Sequence, residues 1–302
     1  MRIQYEVLRE KPVKTLLLKL GGGEYATPAI VSRERRGRHV IPGDRVTLAA
    51  GEDLAERWSR RVRRLGVGIA VLETVIDFSV YRSKPLVGFS ALRELARSVA
   101  EECPPGVYCL PPVAVGLREK LEEVYEALNE GYEAGGGVGC SAPLYDEPVL
   151  REFADSCEFL VVDAGRRAWS TLGEALSVIR EHKGPVYLVN VYRGGGVPRP
   201  ARELAFFIHG ADVLGFSRPT LRQLAVIRAR GSRASGAAAR GYGLDPNTLE
   251  YKPDAPQPEE VLEEVLRRIE ESSADDIESL LRELCEDCTW LLEEARVAVA
   301  QG

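Results

Sequence analysis

The sequence predicts an α/β protein, a (β/α)8 barrel of the TIM type with an N-terminal β-hairpin region and a C-terminal acidic helical extension. Short apolar runs of strand length alternate with amphipathic segments of helix length, and repeated βα units build a parallel sheet covered by helices. The units continue regularly over about 150 residues, which favours a barrel over an open sheet. No Gly-x-Gly-x-x-Gly follows the first parallel strand, so nothing indicates a dinucleotide-binding fold.

The first 48 residues have the pattern of β structure. Residues 13–20 and 24–31 are apolar runs separated by three glycines, and this arrangement predicts a hairpin. Residues 33–38 contain four arginines and are interpreted as a solvated basic loop. A helix is predicted at residues 52–65.

Predicted strands and helices then alternate. The strands are short apolar runs, at residues 67–72, 106–110, 135–142, 159–163, 185–191 and 211–216. The helices between them are predicted at residues 91–102, 117–133, 147–156, 172–181 and 202–209. The run 159–163 is apolar up to its last residue, which is typical of a parallel strand buried on both faces.

The composition changes after residue 244. Residues 254–258 have the character of a linker, and two acidic amphipathic helices are predicted at 259–271 and 275–299. We therefore divide the chain into a barrel with its N-terminal β segment, residues 1–250, and an acidic helical tail, residues 255–302. The tail has 14 acidic and 4 basic residues, which leaves 36 basic and 32 acidic residues in the rest. The pI of 5.4 therefore does not exclude a polyanionic partner for the body.

Composition also bears on the compartment. No apolar run reaches the length of a membrane span, and the N-terminus has no signal-peptide core, so a cytoplasmic protein without a membrane partner is expected. Scarce Asn, Gln, Met and His beside abundant Arg and Glu are typical of a thermophilic source. Four of the six cysteines (103, 109, 140 and 157) lie in or beside apolar segments. They are interpreted as small buried hydrophobes, although intracellular disulfides occur in such organisms.

The stretch 210–222 is the strongest candidate for a ligand site. An apolar strand turns there into a segment that has six arginines and no carboxylate before Leu244. A strand end that feeds a basic loop is where parallel α/β proteins bind anions. Arginines interleaved with Gly, Ser and Ala suit phosphate contacts, and the alternative is an ordinary solvated surface. The arginines predicted to bind RNA are Arg218, Arg222, Arg228, Arg230 and Arg233.

Asp163 ends a buried strand, a position that points into the site of a barrel. The alternative is an aspartate that caps the next turn or pairs with Arg166 or Arg167. The glycines at 194–196 follow another strand end, where backbone N–H groups either cradle a phosphate or form a flexible turn. The three histidines neighbour no nucleophile motif and are interpreted as structural.

Cys285 and Cys288 have the spacing of metal ligands. A structural zinc site needs four ligands, and no other Cys or His follows His209. The ligand set for zinc is therefore incomplete, and a pair in a helical core is the alternative. No cofactor is predicted.

Taken in order, these segments resemble the tRNA-guanine transglycosylase superfamily, particularly the archaeal branch that introduces the archaeosine precursor. The resemblance covers about residues 13–250, and five motifs at the appropriate spacing carry it. They are the hairpin ending in Ala26-Thr27-Pro28-Ala29, Cys109-Leu110-Pro111-Pro112, Val138-Gly139-Cys140-Ser141, Leu160-Val161-Val162-Asp163-Ala164-Gly165, and Gly210 to Phe216 with Pro219-Thr220. The strand 185–188, followed by Gly194, also matches.

The departures from the family pattern concern its catalytic groups. Gly215 stands where the family has its nucleophilic aspartate, and the strand 106–109 lacks the family's other carboxylate. Glu283 replaces the first zinc cysteine. Base exchange needs a carboxylate that attacks the ribose anomeric carbon, and glycine cannot do this. The resemblance therefore implies a relative that does not exchange bases by the family route, so that whether the chain is an enzyme stays open.

Three hypotheses follow. The first is a non-catalytic, tRNA-binding subunit or partner of an active transglycosylase in tRNA 7-deazaguanine modification, as a homo- or heterodimer. Its remnant base pocket would be lined by Cys140, Ser141, Asp163, Gly165 and Gly215. The alternative is an active barrel enzyme on a phosphorylated small molecule, or on modified tRNA, with Asp163 or Asp212 as acid/base. The third is a scaffold whose acidic tail recruits another protein.

Overall fold

The computed structural model describes residues 4–9, 13–33, 37–66, 68–79, 87–117, 119–165, 173–190, 200–215, 242–271 and 282. The strands in these ranges are β1 (Gln4–Arg9), β2 (Thr15–Leu20), β3 (Gly23–Ala26), β4 (Ala29–Ser32), β5 (Val40–Ala49), β6 (Val71–Asp77), β7 (Tyr108–Cys109), β8 (Val113–Val115), β9 (Cys140–Pro143), β10 (Leu160–Asp163), β11 (Val186–Val189), β12 (Val213–Leu214), β13 (Tyr242–Leu244) and β14 (Tyr251–Pro253). The helices are α1 (Leu54–Val62), α2 (Phe89–Glu101), α3 (Leu121–Ala134), α4 (Glu147–Ser156), α5 (Gly173–Glu181), α6 (Pro200–Ile208) and α7 (Pro258–Glu271).

The main sheet is parallel throughout, in the order β7-β6-β5-β4-β12-β11-β10-β9. β7 and β8 share one position beside β6, because Pro111 and Pro112 lack the N–H that would continue the ladder. The predicted α/β class and parallel, TIM-like sheet are confirmed. The sheet is a curled half-barrel: Cα atoms of β8 come within 8 Å of β9 and β10, yet no backbone ladder joins these strands within the described residues.

The N-terminal hairpin covers the concave side of this sheet. β2 and β3 pair antiparallel, and Leu16, Leu18 and Leu20 join the apolar core of the concave face. The predicted strand 24–31 is in fact two strands. It divides at Thr27-Pro28 because proline donates no ladder hydrogen bond, and β4 then enters the parallel sheet beside β12.

Helix α7 packs against the body of the protein. Its apolar face shares one core with helices α4, α5 and α6 and with Leu244. Its acidic residues bind the N-terminal region: Glu259 accepts a hydrogen bond from the Ser32 hydroxyl at 3.0 Å, and Glu270 Oε2 lies 3.1 Å from His39 Nε2. The part of the predicted tail that the structure describes is thus integral to the fold. Among the described helices, none is long and apolar enough to cross a membrane.

The four cysteines interpreted as buried hydrophobes are paired. Cys103 pairs with Cys109 and Cys140 with Cys157, at Cα separations of 5.8 and 6.0 Å, which are the usual separations of a disulfide. Burial is confirmed for Cys109 and Cys140, which are 3% and 6% exposed. The pairing was not predicted, because it depends on which helix end lies beside which strand, and local hydrophobicity does not reveal that.

Candidate functional site

A polar cluster lies on the concave face, where β10, β11 and β12 end. Its members are Arg45, Glu73, Asp163, Tyr187 and Asn190, which hydrogen bonds link into one network. The carboxyl ends of parallel strands are the usual location of ligand sites in α/β folds. The cluster is therefore the candidate functional site.

Strand alternation places Glu73 inside the sheet. Val71 and Val75 belong to the concave core, whereas Leu72 and Ile76 pack on the helix side. Because side chains alternate between the faces of a strand, Glu73 points into the concavity between two valines. It is 1% exposed, so its carboxylate needs partners within the protein.

Two donors satisfy the Glu73 carboxylate. Arg45, its register partner on β5, approaches Oε2 with Nε at 2.5 Å. The Tyr187 hydroxyl donates to Oε1 at 2.7 Å. The Glu73 side chain thus extends across the concavity from β6 to β11. The charge of Arg45 and the hydrogen bonds from both donors offset the free-energy cost of burying the carboxylate.

Asn190 extends the network to Asp163. Its Oδ1 accepts a hydrogen bond from Arg45 Nη1 at 3.0 Å, and its Nδ2 donates to Asp163 Oδ1 at 2.8 Å. The backbone φ of Asn190 is 63°, a left-handed conformation that asparagine tolerates better than most residues. Arg45 Nη2 is buried and makes no hydrogen bond to a described residue. The cluster therefore retains a guanidinium donor that a ligand could use.

Gly215 lies beside Glu73 at the end of β12. A Cβ built at Gly215 would lie 2.3 Å from Glu73 Oε1, 2.9 Å from the Leu188 carbonyl oxygen and 3.0 Å from Tyr187 Cε1. Real Cβ atoms essentially never approach so closely. With Glu73 in place, this position accommodates glycine and no aspartate.

Tyr187 of the cluster and Tyr125 of α3 both keep their phenolic protons. Burial, followed by the charge of Glu73, holds the pKa of Tyr187 well above its usual range. Burial, followed by the charge of Asp163, does the same to the pKa of Tyr125. The Tyr187 hydroxyl therefore keeps the proton that it shares with Glu73.

The structure brings some of the predicted site residues together and separates others. Asp163 and Gly215 lie in the cluster, and Gly165 follows in a turn with φ 61°. Cys140 is level with Leu160, three positions before Asp163 in the β9–β10 register. It is therefore about 10 Å from the strand ends, at 3.3 Å per residue. Ser141 is fully buried and bonded to Asn129.

Asp212 lies at the amino end of β12, away from Asp163. Its Oδ2 is 2.8 Å from Lys14 Nζ and accepts a hydrogen bond from the Val186 backbone N–H at 2.8 Å. Burial raises its pKa to about 6, against the opposing effect of Lys14. Asp212 therefore ties the N-terminal hairpin to β11, and of the two alternative acid/base candidates, Asp163 or Asp212, the cluster contains Asp163.

Several predicted residues lie outside the described residues. They are the five arginines predicted to bind RNA, the glycines at 194–196, Cys285 and Cys288. Within the described part of the chain, no group of three or more His, Cys, Asp or Glu could hold a metal ion.

Sequence reasoning missed Arg45, Glu73, Tyr187 and Asn190. One signal in the sequence could have identified this cluster. Glu73 is a single carboxylate within the apolar run 71–76, and such a residue is rarely buried without a partner. No family model and no curated protein matches this sequence.

Proposed function

We propose that this chain is a transglycosylase-like, tRNA-binding protein of 7-deazaguanine modification that does not itself exchange bases. It would serve as a subunit or partner of an active transglycosylase. The order of motifs along residues 13–250 supports the relationship. The curled parallel sheet is the kind of scaffold that the resemblance implies.

The approach of Glu73 to Gly215 carries the proposal. The position that holds the nucleophile in the family has no side chain here, and Glu73 Oε1 lies where one would begin. The Glu73 carboxylate is itself engaged by Arg45 and Tyr187. A carboxylate held by a guanidinium and a phenol is a weaker nucleophile than one that is free, since both donors stabilise its charge.

Charge in the cluster indicates where a polyanion would bind. Glu73 and Asp163 contribute two carboxylates beside the single guanidinium of Arg45, so the cluster itself does not attract phosphate. The chain leaves β12 at Gly215 directly into the segment with six arginines. Phosphate contacts are therefore assigned to that segment.

Binding of labelled tRNA at several salt concentrations tests this proposal. Log affinity should fall linearly with log salt, and each of Arg218→Gln and Arg222→Gln should reduce the slope by about 1. Arg60→Gln is the matched control, because Arg60 lies on α1 and its side chain is 57% exposed. Absence of salt-sensitive binding, or equal effects of all three substitutions, would refute the proposal.

One observation favours a second candidate, an active enzyme that uses Asp163. The carboxylate is 1% exposed and is oriented by Asn190 beside the unused donor of Arg45. Such an enzyme would act on modified tRNA or on a phosphorylated small molecule. Asp163→Asn would abolish turnover of its substrate, whereas tRNA binding by a silent subunit would persist in that variant.

A further inference from the structure

Strands β8 and β9 border a seam in the main sheet. No backbone ladder crosses it within the described residues, yet the backbone groups on both sides have partners. Asn129 from α3 pairs with Ser141 as a neighbouring strand would: its Oδ1 accepts from the Ser141 N–H at 2.8 Å, and its Nδ2 donates to the Ser141 carbonyl at 3.0 Å. A side-chain amide thus replaces a peptide group.

Two tyrosines of α3 bind backbone groups on the other side of the seam. The Tyr125 hydroxyl accepts a hydrogen bond from the Ala114 N–H at 3.3 Å and donates to the Ala114 carbonyl at 3.1 Å. The Tyr132 hydroxyl donates to the Cys109 carbonyl at 2.5 Å. Residues 125, 129 and 132 follow one another at helical spacing and lie on one face of α3. One face of α3, together with the Tyr108 hydroxyl that donates to the Val138 carbonyl at 2.6 Å, therefore closes the seam in place of a ladder.

Both borders of the seam carry a disulfide. Cys109, whose carbonyl accepts the Tyr132 hydroxyl, is paired with Cys103 after α2. Cys140, the residue before Ser141, is paired with Cys157 at the end of α4. Neither of these disulfides crosses the seam: one ties β7, which precedes β8, to the end of α2, and the other ties β9 to the end of α4. Each therefore restrains a backbone segment that α3 bridges.

We propose that these two disulfides fasten the seam, and that their reduction opens it locally while the rest of the sheet stays folded. A dithiol reductant supplies the electrons: each protein disulfide accepts two electrons and two protons, and the dithiol becomes a cyclic disulfide. Four protein thiols result. The seam is then held by side-chain hydrogen bonds and by apolar contacts such as that between the rings of Tyr108 and Phe159, whereas the neighbouring strands keep continuous parallel ladders. Local opening of a folded protein occurs in its least stable units.

Hydrogen exchange of the full-length chain, followed by mass spectrometry before and after reduction with dithiothreitol, tests the proposal. In the oxidised protein, peptides spanning residues 108–115 and 138–144 should be protected. Reduction should accelerate their exchange at least about tenfold. Peptides from β10 and β11 should change less than about twofold. Seam protection that survives complete reduction would overturn the proposal, as would an equal acceleration everywhere.

Peptide mapping and one substitution complete the test. Alkylation before reduction should leave cysteines 103, 109, 140 and 157 unmodified, and free thiols there would overturn the proposal. Asn129→Leu should accelerate exchange around Ser141 in the oxidised protein. The control Glu126→Gln, at an exposed position of the same helix, should not. Equal exchange in the two variants would show that the α3 side chains do not close the seam.

Discussion

Glu73 Oε1 lies 2.3 Å from the point where a Cβ at Gly215 would stand. These residues come from β6 and from the end of β12 and meet across the concave face of the sheet. The carboxylate of another strand therefore occupies the space that a side chain at position 215 would need.

Alanine at position 215 should destabilise the protein. The added methyl group would overlap Glu73 and the Leu188 carbonyl, and overpacking of this kind costs about 1–3 kcal/mol. Gly66→Ala is the matched control, since a Cβ there meets nothing within 4 Å. Denaturant unfolding of both variants measures the difference. The packing account is wrong if the two substitutions have the same effect.

Removing the guanidinium of Arg45 should be costly. Arg45→Met leaves the buried Glu73 carboxylate without its cation, and loss of one partner of a buried pair costs about 3–5 kcal/mol. Arg93 and Glu130 form a comparison pair at 2.6 Å with side chains 48% and 51% exposed. Arg93→Met should cost at most about 1 kcal/mol. Urea unfolding of the two variants checks the contrast, and equal losses would contradict burial of the Arg45–Glu73 pair.

Alkaline titration should show tyrosines that ionise only on unfolding. Burial is the main cause that holds the pKa values of Tyr125, Tyr132 and Tyr187 well above the ordinary value of 10.0. Above that pH the unfolded chain loses protons that the folded chain retains. The contribution of these tyrosines to the free energy of unfolding is therefore fully present below that pH and declines as the pH rises above it. Tyrosinate absorbance should therefore rise together with the loss of the circular-dichroism signal. Ionisation of all tyrosines in the folded state would contradict their burial.

Asp212 should make stability fall as the pH rises from about 4 to about 6. Burial raises its pKa from 3.8 to about 6, so the folded state binds a proton in this window that the unfolded state has released. The shift corresponds to about 3 kcal/mol. Asp212→Asn removes this dependence, and comparing unfolding free energies of the two proteins across the window measures it. Parallel pH profiles would contradict the assignment.

His209 should act in the opposite direction. Burial, and then the charge of Arg180, lowers its pKa from 6.5 to about 4. Its contribution to stability is therefore present above pH 6.5 and lost as the pH falls through the folded value. His209→Gln should flatten the acid side of the stability profile in thermal unfolding. A variant that loses stability on acidification as steeply as the native chain would show that His209 does not titrate in this way.

The sequence was sufficient for the parallel sheet and for two members of the site. Asp163 was located because it ends an apolar run, and Gly215 because it lies within the motif Gly210 to Phe216 that carries the resemblance. Glu73 and Tyr187 are 114 residues apart, and no local pattern shows that they meet. Helix α7 was predicted at residues 259–271, but the residues that its acidic side chains bind could not be predicted. Glu259 and Glu270 bind Ser32 and His39, which are 227 and 231 residues away along the chain.

Glu73 occupies the space beside Gly215, and we propose that the protein binds tRNA without exchanging its bases. The most direct measurement is incorporation of labelled guanine into tRNA by the full-length chain, beside Glu73→Gln, under conditions where tRNA binding is confirmed. The account predicts that neither protein incorporates the label above the tRNA-only background. Incorporation by the native chain that disappears in Glu73→Gln would contradict it, because Glu73 would then be a catalytic carboxylate.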